Sequence, residues 1–297
     1  MASLWEAARG CRYCPVGQVQ PRFMWRGYDS STLRRIVCMK LRSGFHSLLA
    51  ALAAIWLPAH AELPDEIQVY TGDINAPGEF GLELHLNTTP SGNSKPSYPG
   101  EVTNAHGWRA TAEFSYGLAP SWELGLYVPT VLTRDNTYYL TGPKFRVKWM
   151  PLQPVDGAGY FVGANVELAH VDQRFDQATN GLELRPIFGY QDAQWLFAFN
   201  PVLDWNLSGP DKGGTPDFAP AFKAARTVLP GVRAGLEYYM DLGRLDHLST
   251  GSAQPQTLYL AVDVDRSPLV FNFGIGRGLT HAADRWTLKW IFEIPLH

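Results

Sequence analysis

Few residues of this 297-residue chain stand at spacings that could do chemistry. His247-Leu248-Ser249 could set an imidazole base beside a hydroxyl nucleophile. A serine hydrolase also needs an orienting group and a rigid frame. The pair falls instead among small polar residues, with no Asn suitably placed after it. Cys11-x-x-Cys14 has redox or metal spacing but lacks a second pair and a βαβ context. Gly274-Ile275-Gly276-Arg277-Gly278 is glycine-rich, yet no helix follows it to make a phosphate loop. The eight histidines are scattered, so His85, His106 and His170 read as single residues without metal spacing. The sequence therefore predicts no catalytic, cofactor-binding or metal site. What remains is charge, and the question becomes which elements hold it and on which side.

The clearest element is Trp108–Val128. Trp108, Ala110, Ala112, Phe114, Tyr116 and Leu118 alternate with Arg109, Thr111, Glu113, Ser115 and Gly117. Beyond Ala119-Pro120-Ser121, Trp122, Leu124, Leu126 and Val128 alternate with Glu123, Gly125 and Tyr127. Side chains alternate faces along a strand, so this is a hairpin with one apolar and one charged face. Each arm is about ten residues, the length at which a tilted strand crosses a bilayer. Aromatics stand at the ends of the apolar face, where a membrane interface would place them.

The first 61 residues read as a leader. Lys40 and Arg42 precede an apolar run from Ser47 to Leu57, and Ala59-His60-Ala61 is a small-x-small cleavage site, giving a mature start at Glu62. Residues 1–38 read as a start assigned too early or an extended leader, 39–61 as a signal peptide, and 62–78 as a periplasmic segment before a barrel over 79–297. Cys11, Cys14 and Cys38 all precede Met39, so disulfides do not hold the mature chain. That chain carries 17 basic and 26 acidic residues, a net −9, which argues against nucleic acid. No apolar window is long enough for a transmembrane helix.

From Glu79 the pattern repeats. Strands are expected at Glu79–Asn87, the two hairpin arms, Tyr139–Met150, Gly159–His170, Gly181–Tyr190, Trp195–Leu207, Asp217–Val228, Val232–Asp241, Thr257–Val264, Leu269–Gly276 and Arg285–Leu296. That makes twelve, with short connections alternating with longer polar ones. The expected fold is an all-β, up-and-down antiparallel transmembrane β-barrel, with short periplasmic turns and longer outer loops. A soluble sandwich would not alternate its loops so regularly, and a lipocalin-like barrel would put its charges outside on eight strands.

With the apolar face toward lipid, the lumen receives Glu79, Glu83, His85, Arg109, Glu113, Glu123, Lys144, Arg146, Lys148, Glu167, Glu183, Arg185, Asp204, Lys223, Arg233, Glu237, Asp263, Lys289 and Glu293. The aromatic girdle is Trp108, Tyr116, Trp122, Trp149, Tyr160, Tyr190, Trp195, Trp205, Tyr238 and Trp286, with Trp108 near the outer rim and Tyr116 and Trp122 near the periplasmic one. Arg226 is the main charge on the lipid face. The partners implied are outer-membrane lipid, the barrel-assembly machinery and, for a pore, a small solute. The charges read either as a narrow selective pore or as a salt-bridged, non-conducting core of an envelope scaffold. A third reading, a lipid hydrolase, follows from the strand number shared with outer-membrane phospholipases, which use a His-x-Ser pair.

The hairpin also carries a resemblance. Tyr116-Gly117-Leu118 followed by Glu123-Leu124-Gly125-Leu126 is similar to a pattern in proteobacterial outer-membrane proteins labelled meta-pathway phenol degradation or transporter proteins. Glu101-Val102-Thr103-Asn104 resembles their preceding loop. The resemblance implies an outer-membrane barrel passing small aromatic or other apolar compounds. The chain departs from barrel-assembly signals, which commonly end on an aromatic, by ending Ile294-Pro295-Leu296-His297.

Overall fold

The computed structural model describes residues 65–266 and 269–295. The leader, its cysteines, the cleavage site and the last two residues lie outside them. Thirteen strands form one antiparallel sheet: β1 (Phe80–Ser91), β2 (Trp108–Ala119), β3 (Trp122–Leu132), β4 (Tyr138–Leu140), β5 (Lys144–Leu152), β6 (Gly159–His170), β7 (Asn180–Gln191), β8 (Trp195–Asn206), β9 (Asp217–Leu229), β10 (Val232–Met240), β11 (Gln256–Arg266), β12 (Leu269–Gly278) and β13 (Trp286–Pro295). Twelve of them close into a barrel, because β1 pairs with both β2 and β13, from Gly81↔Pro295 to Ser91↔Trp286. Closure leaves no edge exposed to lipid, which a spanning sheet requires.

The short strand β4 departs from the expected single strand Tyr139–Met150. Gly142 takes φ +128° and Pro143 has no N–H, so the chain breaks there. β4 pairs with the far end of β3, and β5 takes over below it, from Tyr127↔Lys144 to Trp122↔Trp149.

The alternation puts apolar side chains outward and polar ones inward. On the hairpin, Trp108, Phe114, Leu118, Trp122 and Leu124 are exposed, while Arg109, Thr111, Glu113, Glu123 and Tyr127 are buried. Aromatic pairs collect at both ends of the outer face. Trp122 stacks on Trp149 at 5.8 Å and Tyr160 meets Tyr190 at 5.1 Å near the short turns; Trp108 stacks on Trp290 at 6.0 Å near the long loops. Arg226 is exposed over the Trp195 ring at 5.4 Å, close to the short-turn end, where a lipid-facing charge is cheap.

At the long-loop end, the β1–β2 and β6–β7 connections fold onto the strand ends. Val102 and Phe175 pack with Val131, Val171 and Tyr139, and Asn93 N–H donates to Asp284 Oδ1 at 2.8 Å. In the β10–β11 loop, burial pushes the Asp241 carboxyl up to about 7, against the Gly243 N–H it accepts; Asp217 adds to the rise.

One feature was not expected. Residues 65–75, read from sequence as part of a periplasmic segment, run inside the barrel as an extended strap. Val69 and Tyr70 are 3% and 4% exposed, and Asp65 is 3% exposed. Asp65 meets Lys144 at the start of β5, toward the long loops. Asn75 meets Glu123 and Ser115 toward the short turns, and Gly78 N–H donates to Gly117 O at 2.8 Å. The strap therefore descends the lumen before β1 climbs back. An extended chain there has no sheet neighbour, so its polar groups are met by side chains from the wall.

Val166→Arg, on the mid-length outer face of β6, should lower unfolding free energy in bilayers by about 2–4 kcal/mol, whereas Asn206→Arg at a strand end should cost little; urea titration of refolded protein would compare them. The folded pKa of Asp241 lies above the unfolded value of about 3.9, so its neutral form favours the fold. Protection of the β10–β11 loop from protease should be greatest below pH about 4, fall as pH rises to about 7, and change no further above; Asp241→Asn should flatten that profile.

Candidate functional site in the barrel lumen

Inward charges are affordable only when paired, and register brings the partners together. On the β9–β13 side, Glu237 receives Lys289 at 2.5 Å and Lys223 at 3.1 Å, while the Tyr239 hydroxyl donates to it at 2.7 Å. Lys223 also reaches Asp263 at 2.7 Å, and Asn272 donates to the same carboxylate. On the β1–β5 side, Arg146 forks onto Glu113 and reaches Glu123 at 2.7 Å; His85 Nε2 lies 3.1 Å from Glu113 and 3.6 Å from Glu83. Gly125 stands across from Arg146 in register, and a Cβ there would strike the Arg146 side chain.

The strap completes these clusters. Lys144 bridges Asp65 at 3.0 Å and Glu167 at 3.2 Å. Arg185 holds Glu183 at 2.6 Å, donates to Gln68 O at 3.2 Å and lies 4.0 Å from Glu66. Lys289 donates to Ile67 O at 2.8 Å, and Lys148 to Asp73 O at 2.6 Å. Asn200 acts as a rung, accepting from Tyr70 N–H at 2.6 Å and donating to Tyr70 O at 3.1 Å.

Of the lumen set read from sequence, His85, Arg109, Glu113, Glu123, Lys144, Arg146, Lys148, Glu183, Arg185, Glu237 and Lys289 are buried. Glu83 and Arg233 are half-buried, and Glu79 and Glu293 are exposed at the short-turn mouth. Arg109 leaves the central clusters for the loops, bonding Asn104 and lying 5.6 Å from the Phe175 ring. Of the girdle residues, Trp108, Trp122, Trp149, Tyr160, Trp195 and Trp286 are exposed; Tyr116, Tyr190, Trp205 and Tyr238 are half-buried.

Glu83, His85 and Glu113 bring ligand atoms within 4.8 Å of one another. The Arg146 guanidinium already neutralises Glu113, so a divalent ion there would meet a fixed cation. His247 is exposed in the β10–β11 loop, and Ser249 lies against Gly243. Among the described residues neither has an orienting partner in a triad-like frame.

The lumen is not polar throughout, and here the inward pattern departs from expectation. Met150, Phe161, Ile187, Leu196, Ala198, Ala221 and Ala225 form a buried apolar patch on β5–β9 against Val69 and Tyr70. Phe161 lies over Gly189, its register partner, where a Cβ would collide with the ring. The wall outside this patch is interrupted. The β7–β8 ladder stops after Leu184↔Leu203 and resumes at Phe188↔Phe199, and the gap holds Pro186 and Pro201. Pro201 in turn pairs with Pro220 on β9. Three prolines on adjacent strands remove donors from one level of a closed sheet, a place where proline is normally excluded. Beside them, on the outer face, a groove of about 940 Å³ is lined by Tyr160, Phe188, Phe197, Phe199, Phe222 and Tyr238 among others.

Comparison with known structures places this architecture. The fold is similar to that of the COG4313 outer membrane channel from Pseudomonas putida F1, with 10% identity and a TM-score of 0.50 over 78% of this chain and all of that one. The two barrels share one fold. Weaker likeness extends to LpxR from Salmonella typhimurium (10% identity, TM-score 0.38, 73% of this chain and 100% of that one) and to the outer membrane channel DcaP of Acinetobacter baumannii (9%, 0.32, 73% and 96%). No family model and no curated protein matches the chain.

The pairing makes Glu237 costly to neutralise. Glu237→Gln takes from the buried Lys289 its carboxylate partner and leaves Lys223 to Asp263 alone, and should destabilise the barrel by about 3–5 kcal/mol, whereas Asp172→Asn, in an exposed loop pair, should change stability by less than about 1 kcal/mol; heat-dependent gel mobility and urea unfolding would separate the two.

Proposed function

We propose that the protein is a passive outer-membrane route for small aromatic or other apolar solutes, closed at rest by the strap and opening sideways through the β7–β9 wall. The observation that carries this reading is the coincidence at one level of an apolar inner patch, three prolines in register and an aromatic groove outside. An apolar solute gains nothing from a wet axial pore, but it gains from a passage whose two sides are both apolar. Each proline leaves its position without a donor, so parting the strands there breaks fewer bonds than elsewhere in the wall. The leader-like pattern of the first 61 residues, the aromatic belts and the loop asymmetry support an outer-membrane setting, with the short turns toward the periplasm. We read the protein as a transporter and not an enzyme. The specific family suggested by the hairpin motif fits this reading.

One observation favours a second reading, a non-conducting scaffold: in each lumen cluster opposite charges stand in contact, and the strap runs between them. Transport separates the two. Proteoliposomes should take up an uncharged monocyclic aromatic faster than protein-free vesicles. A Pro186→Val, Pro201→Val barrel should slow that uptake by about thirtyfold, since each restored rung is worth about 1 kcal/mol, while ionic conductance stays unchanged. Uptake equal to that of empty vesicles would favour the scaffold.

A further inference from the structure

The strap does more than fill space, because one of its side chains sits at the centre of the lumen in a setting built for a ring. Tyr70 is packed against the apolar patch, with Phe161, Met150 and Ile187 in the same buried cluster. Three cations face its π-system: Arg185 at 4.6 Å from the ring centroid, Lys148 at 5.0 Å and Arg146 at 5.9 Å. Its hydroxyl lies 2.6 Å from the hydroxyl of Tyr127, itself fully buried. Apolar walls, cationic neighbours and a single hydroxyl partner each recognise a different part of a hydroxylated ring.

The wall supplies all of these groups, and the strap supplies the ring. The ring is also held at the interrupted level of the wall. Arg185 immediately precedes Pro186, and Asn200, which grips the Tyr70 backbone from both sides, immediately precedes Pro201. The strap thus delivers a tethered aromatic to the place where the inner patch and the weakened wall meet.

We infer that Tyr70 occupies the barrel's own binding site for a single aromatic ring bearing one hydrogen-bonding substituent, and acts there as a covalently tethered competitor. This rests on the transport reading above and adds to it the site, the ligand chemistry and the means of closure. Solute binding and strap displacement are then one event: a free ring takes the cations, the patch and the Tyr127 hydroxyl only when Tyr70 leaves them. A tethered occupant lowers the fraction of competent barrels, and so weakens apparent affinity by that fraction.

The test uses the full-length protein in detergent with p-cresol, the tyrosine side chain as a free molecule, titrated calorimetrically against protein-free micelles. Tyr70→Ala should bind p-cresol about tenfold more tightly than wild type, the factor expected when a competitor is removed. Adding Tyr127→Phe to Tyr70→Ala should cancel most of the gain, and toluene, which lacks the hydroxyl, should show a smaller gain. Asn200→Ala keeps every ring contact but unhooks the strap, and should tighten binding as well; it decides the matter if Tyr70→Ala fails to show the mobility of a folded barrel. Binding by the folded variants no tighter than wild type, or a gain indifferent to Tyr127→Phe, would overturn the inference. Failure here with solute uptake intact would sink the tethered-competitor site alone. Binding without uptake would sink the transport reading alone.

Discussion

Every backbone N–H in a wall that faces lipid has to find its acceptor within that wall, because hydrocarbon offers none. The pairing of β1 with β13 meets this demand by turning an open sheet into a cylinder. The rest follows from it. A closed wall has only two faces, so alternation sends Trp108, Phe114 and Leu124 to lipid and Arg109, Glu113 and Glu123 inward. Inward charges cannot be solvated by bulk water, so they meet across strands, with Glu237 between two lysines and Glu113 between Arg146 and His85. The register that closes the wall is therefore also what neutralises its interior.

The same demand gives the prolines their meaning. A proline in a closed sheet withdraws one donor without removing the need of the opposite acceptor. Pro186, Pro201 and Pro220 do this side by side, on the part of the wall where the interior is apolar and the exterior is hollowed. Just inside, Asn200 turns its amide to the strap and makes with Tyr70 the paired bonds that one strand makes with another. The interior thus has two regions of different character: a polar one in which charges hold one another, and an apolar one that an aromatic residue fills.

The alternation of faces, the number of wall strands and the long and short connections were legible in the sequence because a lipid-facing wall imposes a strict two-residue period and a strict loop asymmetry. On the hairpin, every second position is polar, and Arg109, Thr111, Glu113 and Glu123 there are buried. Two things were not legible. The apolar inner patch escapes a rule that assigns apolar residues to lipid: Phe161 and Ile187 sit between apolar neighbours and break the alternation without an obvious mark. The strap escapes because Asp65-Glu66-Ile67-Gln68-Val69-Tyr70 has the composition of an ordinary surface segment. Its partners, Lys144, Arg185, Asn200 and Lys289, lie far away in sequence, and Lys144, Arg185 and Lys289 are each expected in the lumen without it. The break before Pro143 that splits off β4 could have been read from Gly142-Pro143 alone.

The path of the strap also bears on the order in which the molecule is put together. It is continuous with β1 and runs beside it in the opposite sense, so the two resemble a hairpin whose arms are joined by side chains. The β1–β13 ladder joins the two most distant strands of the sheet, and contacts of such separation are slow to form because the chain entropy between them is lost before any bond repays it. On either flank of that ladder, Lys289 of β13 holds Ile67 O and Glu83 of β1 accepts from Gln68. Neighbouring strap residues thus tie the two strands that lie farthest apart in the chain. The segment that runs through the lumen thus also bridges the first and last strands of the wall, so that its core contacts and the seam of the cylinder share the same residues.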